Sequence, residues 1–247
     1  MTLVPASAFV ASLMGVLMIP TPGPEIDESR GSFQSRGKVI GLERFEPRRP
    51  GRHPAVLILH GSGGLIAGGD DYRVLARDLA GRGYVAQVVH YFEQTGTVQA
   101  DLATIGRSFS SWMLTLGDAL SAVAKQENVD PARIGLLGFS LGSYLALSVA
   151  GHDHRVAAVV EYFGGLPDVF TWNLKRFPPT LILHGEDDPV VTVESARKLE
   201  RLLQAKKFPY EIRIYPGQGH RFEGPDERDS VRLSLEFLAK HLRPSAD

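Results

Sequence analysis

The sequence predicts an α/β domain with a mostly parallel, doubly wound sheet of about seven strands, and three observations carry that prediction. Apolar β-rich runs such as Pro54-Ala-Val-Leu-Ile-Leu-His60 show no polar alternation, as strands covered on both faces do. Amphipathic helical stripes alternate with these runs, the pattern of right-handed βαβ units. Glycine-rich or acidic loops follow several strands, at the carboxyl ends where open α/β sheets place their ligands.

With 247 residues, 43% of them hydrophobic and 22% charged, the chain suits one sizeable domain that buries its own core. That domain spans 37–247, after an N-terminal segment 1–36. Leu3 to Ile19 is uncharged and mostly apolar and runs into Pro20-Thr-Pro-Gly-Pro24, like the middle and end of a signal peptide. Yet no Lys or Arg precedes it, no small-x-small cleavage site follows, and Pro5 and Gly15 weaken a spanning helix. Three readings stay open: a signal segment, an arm packed on the body, and a misplaced start. An arm packed on a cytoplasmic protein is favoured; residues 1–24 acting as a signal would make the protein periplasmic or secreted.

The elements then follow in order. Gly37 to Glu46 alternates as a strand and ends at Pro47 and the Arg48-Arg-Pro-Gly-Arg52 turn. Pro54 to His60 is a buried strand, and the Gly61-Ser-Gly-Gly64 loop comes after it. Tyr72, Leu75, Ala76 and Leu79 form the stripe of a helix closed by Gly81 and Gly83. Tyr84 to His90 is the next strand, followed by the Tyr91–Thr97 loop and a long amphipathic helix over Ser108 to Lys125. Ile134 to Leu137 runs into Gly138-Phe-Ser-Leu-Gly142 and a helix. Arg155–Tyr162, Pro179–His184 and Tyr210–Tyr215 are strands; Ser195–Gln204 and Val231–His241 are helices. The stretch from Gly164 to Pro178 is too short for a large cap domain, so a site there is open to solvent.

Composition excludes several classes. A net charge of −1 with scattered basic residues argues against nucleic acid and against stable association with an anionic membrane. With no cysteine there is no thiolate nucleophile and no zinc–thiolate site. His152 and His154 flank Asp153 without a third ligand at a recognisable spacing, so no metal is expected. The Gly61–Gly64 loop lacks the Lys-Ser/Thr of a phosphate cradle and suits an oxyanion-binding loop better.

Gly138-x-Ser140-x-Gly142 between a strand and a helix is the pattern of a nucleophile elbow, with Ser140 the candidate nucleophile. A serine hydroxyl needs a base, and the base needs a group to hold it. His220, in the Gly217-Gln-Gly-His-Arg loop between the last strand and the last helix, is the candidate base. His60 and His184 end strands and are expected to brace their loops. Asp187 and Asp188 compete for the acid, and Asp188, extended by the following Pro189, is preferred. The candidate oxyanion donors are the backbone N–H groups of Leu141 and of Ser62, with Gly63 the alternative. Tyr91, Phe92, Phe163 and Trp172 are candidate substrate-binding residues.

Gly138-Phe-Ser-Leu-Gly142, His184-Gly-Glu-Asp-Asp188-Pro-Val-Val191 and Gly219-His-Arg-Phe222 together resemble the α/β-hydrolase superfamily, specifically the dienelactone hydrolase family. The resemblance covers residues 37 to 243 and places the family's acid at Asp188. It implies an α/β-hydrolase fold and a cofactor-independent serine hydrolase, monomer or homodimer, that cleaves a small ester or lactone through an acyl-enzyme. The best-known members carry a cysteine where Ser140 stands. The family's two carboxylate-gripping arginines correspond here to Glu93 and Gly224, so a neutral or cationic ester is expected and Glu93 would repel an anion. Two alternatives remain: a thioesterase or peptide-ester hydrolase with the same triad, and a ligand- or partner-binding protein without turnover.

Overall fold

The structure, a computed structural model, describes residues 25–172 and 174–242; the signal-peptide question falls on residues 1–24, outside the described residues. One sheet of eight strands runs through the molecule in the order β1-β2-β4-β3-β5-β6-β7-β8. Its strands are β1 (Ile26–Ser35), β2 (Lys38–Pro47), β3 (His53–Leu59), β4 (Val85–Val89), β5 (Val129–Phe139), β6 (Val156–Tyr162), β7 (Thr180–Gly185) and β8 (Tyr210–Tyr215). From β4 to β8 every pairing is parallel, whereas β1–β2 and β2–β4 are antiparallel.

The eighth strand is β1, which the sequence reading counted with the N-terminal segment. It pairs on one side only, in register from Ile26↔Pro47 to Ser35↔Lys38, and buries just Phe33 and Ser35. An edge strand with one partner and two wet faces has no apolar alternation to read. Its charges also discourage pairing with another chain. Arg36 and Gly37, both at positive φ (47° and 79°), make the tight turn that joins it to β2.

Among the described residues five α-helices cover the sheet: α1 (Gly69–Gly81), α2 (Leu102–Val123), α3 (Leu141–Ala150), α4 (Glu194–Ala205) and α5 (Gly224–Leu242). Helix α2 starts a turn and a half before its apolar stripe because the Asp101 carboxylate caps it, accepting from Thr104 N at 2.8 Å. Helix α5 likewise begins before Val231, with Pro225, Asp226 and Glu227 in a polar first turn that suits a helix N-terminus. Trp112 and Leu116 of α2, Leu145 of α3 and Leu199 of α4 pack on one face of the sheet. Leu75 and Leu79 of α1 and Phe237 and Leu238 of α5 pack on the other. Among the described residues between β6 and β7 there is a loop with a single turn of 3₁₀ helix at Asp168–Phe170, and no large cap domain lies among the described residues. Among the described residues no helix is long and apolar enough to cross a membrane.

Candidate active site

Three loops at the carboxyl edge of the sheet bring Ser140, Asp188 and His220 together. Ser140 stands between β5 and α3 with φ 52° and ψ −115°, a conformation that costs strain and lifts the side chain clear of the sheet. Gly138 and Gly142 allow it. A Cβ on Gly142 would lie 2.2 Å from the Leu59 carbonyl oxygen, and one on Gly138 would lie 2.5 Å from Gly142 itself.

His220 Nε2 is 2.9 Å from Ser140 Oγ, and His220 Nδ1 is 2.7 Å from Asp188 Oδ2. These two contacts assign the tautomer: Nδ1–H donates to the carboxylate and Nε2 accepts from the hydroxyl. Asp188 is buried, and its Oδ1 accepts from Val190 N at 2.8 Å and from Val191 N at 2.9 Å. Asp187 is exposed, and its backbone N–H donates to the Gln218 carbonyl at 3.0 Å, which ties the acid loop to the histidine loop. The side chain of Gln218 in turn donates to Asp226 and accepts from Glu223 N, so the His220 loop is anchored to the start of α5.

His184 and His60 brace their loops as expected. His184 is fully buried; its Nε2 donates to the Val191 carbonyl at 2.7 Å and lies 3.5 Å from Asp188 Oδ2. Burial keeps its pKa below the usual value, so it is neutral at neutral pH. His60, stacked on Tyr91 at 4.2 Å, is pushed down to about 4 by the same desolvation. Its Nδ1 is 2.9 Å from the Gly61 carbonyl, where the Gly61–Gly64 loop begins. That loop is further fixed by the turn from Gly64 N to Gly61 O and by Ala100 N donating to the Ser62 carbonyl at 2.8 Å. Leu141 opens α3, so its N–H belongs to the first helical turn, which has no intrahelical acceptor.

A cavity of about 520 Å³ opens from Ser140 and His220 towards the groove between α1 and α5. Its apolar wall is Tyr72, Leu75, Phe139, Tyr162, Phe163, Phe222 and Val231. Of the four substrate-binding candidates only Phe163 lines it. Tyr91 and Phe92 are buried behind the Gly61–Gly64 loop, packed on Trp112, with the Tyr91 hydroxyl donating to the His60 carbonyl. Trp172 is 78% exposed and outside the cavity. The reason is that the 91–94 segment turns as a 3₁₀ helix and tucks its aromatic rings inward. Glu93 is also off the cavity, accepting from Gly41 N at 2.6 Å and meeting His90 at 3.2 Å, so it repels no substrate there. The acids at the cavity are Asp71, Asp78 and Glu227; Arg221 is also there, engaged by Asp71. The missed wall residues carried a signal of another kind. Tyr72 and Leu75 sit in the α1 stripe, which reads as core until the structure shows that the stripe overruns the sheet edge. Among the described residues no group of three or more His, Asp or Glu is placed to hold a metal ion.

Comparison with known proteins bears on the same region. The sequence model of the Dienelactone hydrolase family matches residues 43–237. A Salmonella typhimurium (strain LT2) protein provisionally named carboxymethylenebutenolidase is 26% identical over 256 residues, covering 94% of each chain. The carboxymethylenebutenolidase of Rhodococcus opacus is 30% identical over 195 residues, 69% of this chain and 76% of its own. Among solved structures, a provisionally assigned dienelactone hydrolase of Klebsiella pneumoniae superposes with a TM-score of 0.73 at 22% identity, covering 88% of this chain and all of that one.

Proposed function

The chain belongs to the dienelactone hydrolase family, and from that premise we propose that it is a carboxylic ester hydrolase using Ser140, His220 and Asp188. The observation that carries the proposal is the unbroken line of contacts from Ser140 Oγ through the His220 ring to a buried carboxylate. His220 Nε2 takes the hydroxyl proton as Ser140 Oγ attacks the ester or lactone carbonyl, and Asp188 steadies the imidazolium that forms. The oxyanion of the tetrahedral intermediate is received by the backbone N–H groups of Leu141 and Ser62. His220 then passes its proton to the departing alkoxide, leaving an acyl-serine. Water, deprotonated by the same nitrogen, attacks the acyl carbonyl, and the proton returns to Ser140 as the acid is released.

The cavity wall argues for an apolar or aromatic group on the substrate. A substrate carboxylate would face Asp71, Asp78 and Glu227 with a single arginine among them, already engaged. A neutral or cationic small ester fits that field, whereas a free carboxylate does not.

The test is hydrolysis of p-nitrophenyl acetate and butyrate, with mass spectrometry after fluorophosphonate treatment. A single adduct on Ser140 together with turnover supports the proposal. A folded protein giving neither overturns it and returns the chain to the binding-protein alternative. Matched oxygen esters and thioesters separate the esterase from the thioesterase.

A further inference from the structure

Glu161 is a buried carboxyl that the mechanism above does not use. Its strand neighbours Val160 and Tyr162 face α1 and α5, so Glu161 points to the opposite face of the sheet, where it is fully buried. Oε2 accepts from Gly164 N at 2.8 Å, and Oε1 has no hydrogen-bond partner. A carboxyl with half its capacity unmet in a dry core destabilises the fold. Its position says what it could do in return.

The peptide that Glu161 holds follows a strained residue. Phe163 has φ 43°, a left-handed conformation that a bulky side chain seldom adopts unless its surroundings impose it. Phe163 N donates to the Leu183 carbonyl at 2.8 Å on one side of the turn, and Gly164 N donates to Glu161 on the other. Both ends of this segment reach the reacting groups. The Phe163 ring lies 4.7 Å from the His220 ring, and the Tyr162 carbonyl accepts from Ser140 N at 2.9 Å.

Resting on the serine-hydrolase reading of the site, we propose that Glu161 is a positioning residue: by capturing Gly164 N–H it locks the Phe163 turn, and so fixes the plane of the His220 ring and the backbone of Ser140. Burial raises the Glu161 carboxyl to about 8, so it carries its proton at neutral pH and accepts through its carbonyl oxygen. The titratable group recorded against it is Tyr144 on α3, whose own hydroxyl is pushed up chiefly by burial and which offers no cation. The neutral carboxyl is therefore the form the site accommodates.

Two substitutions separate positioning from packing. Glu161→Gln keeps an acceptor for Gly164 N–H, while Glu161→Met fills similar space without one. The expected result is a kcat on p-nitrophenyl acetate about 10-fold or more lower in E161M, with KM little changed and Tm not reduced, and near-full activity in E161Q. The ring-current shift of the His220 Cε1–H signal by NMR should move in E161M and not in E161Q. Unchanged kcat and an unchanged His220 signal in E161M overturn the proposal. If E161M does not fold, Phe163→Gly carries the test, since glycine adopts that φ freely; full kcat in F163G overturns it too. Wild-type protein without turnover would sink the serine-hydrolase reading by itself, and the His220 signal would still decide whether Glu161 positions the ring.

Discussion

The two faces of the sheet differ in what they do with polar groups and space. On the face covered by α2, α3 and α4 the packing is closed, and two of the polar side chains buried there, Glu161 and His184, stand at the ends of β6 and β7 that lead into the loops around Ser140 and His220. On the face covered by α1 and α5 the aromatic side chains at the carboxyl edge of the sheet do two things: Tyr162 reaches Ser234 of α5 through its hydroxyl, while Tyr72, Phe139, Tyr162, Phe163 and Phe222 line a cavity. On the proposed function, the contrast means that one layer would set the geometry of the attack and the other would supply room for the substrate. Substitutions should sort accordingly: changes in the catalytic line or on the closed face should reach kcat, whereas changes on the open face should reach selectivity.

The sharpest way to break that division is at the catalytic line itself. Ser140→Ala should lower kcat/KM for p-nitrophenyl butyrate by about 10⁴-fold or more and abolish fluorophosphonate labelling, with no loss of Tm. Asp188→Asn should cost about 10³–10⁴-fold in kcat, because an amide favours the wrong imidazole tautomer. Asp187→Asn, one residue away but exposed and joined to the His220 loop only through its backbone, should stay within about 2-fold of wild type. Equal losses in the two asparagine variants would reassign the acid.

On the open face, Val231→Trp should fill the groove between α1 and α5. The ratio of butyrate or hexanoate to acetate kcat/KM should fall about 10-fold as chain length grows. A uniform loss across chain lengths would mean that the cavity does not hold the acyl chain.

A separate effect, on stability and not on rate, is a pH dependence on the closed face. Burial raises the Glu161 carboxyl to about 8 in the folded protein from the ordinary 4.5, so the native state holds this proton more tightly than the unfolded chain. Stability is therefore lost as pH rises from about 4.5 through about 8, by roughly 1 kcal/mol per pH unit. Glu161→Gln has no such proton. Its Tm advantage over wild type should widen between pH 5 and pH 8 and then level off. An advantage that stays constant with pH would place the group outside the dry core.

Legibility followed the range of the interactions. Ser140 and His220 were readable because each lies in a glycine-flanked loop whose neighbours are a strand on one side and a helix on the other. Asp188 was readable over Asp187 from the proline that follows it. Strand β1 was not readable, since an edge strand with two wet faces has no hydrophobic period. Tyr91, Phe92 and Trp172 read as substrate contacts in the sequence because they are aromatic residues in loops around the carboxyl edge. The structure turns two of them into the core and the third out to solvent.

The sequence by itself determined the α/β class, the order of elements from β2 onwards and which side chains sit in the three converging loops, because each of these is written in local periodicity and turn chemistry. Only the tertiary structure decided which aromatic residues wall the cavity, that Glu93 is spent on Gly41 and His90, and that Glu161 grips the turn beside His220. Those depend on where helices cross the edge of the sheet and on strain shared between segments distant along the chain, and no short stretch of sequence encodes either.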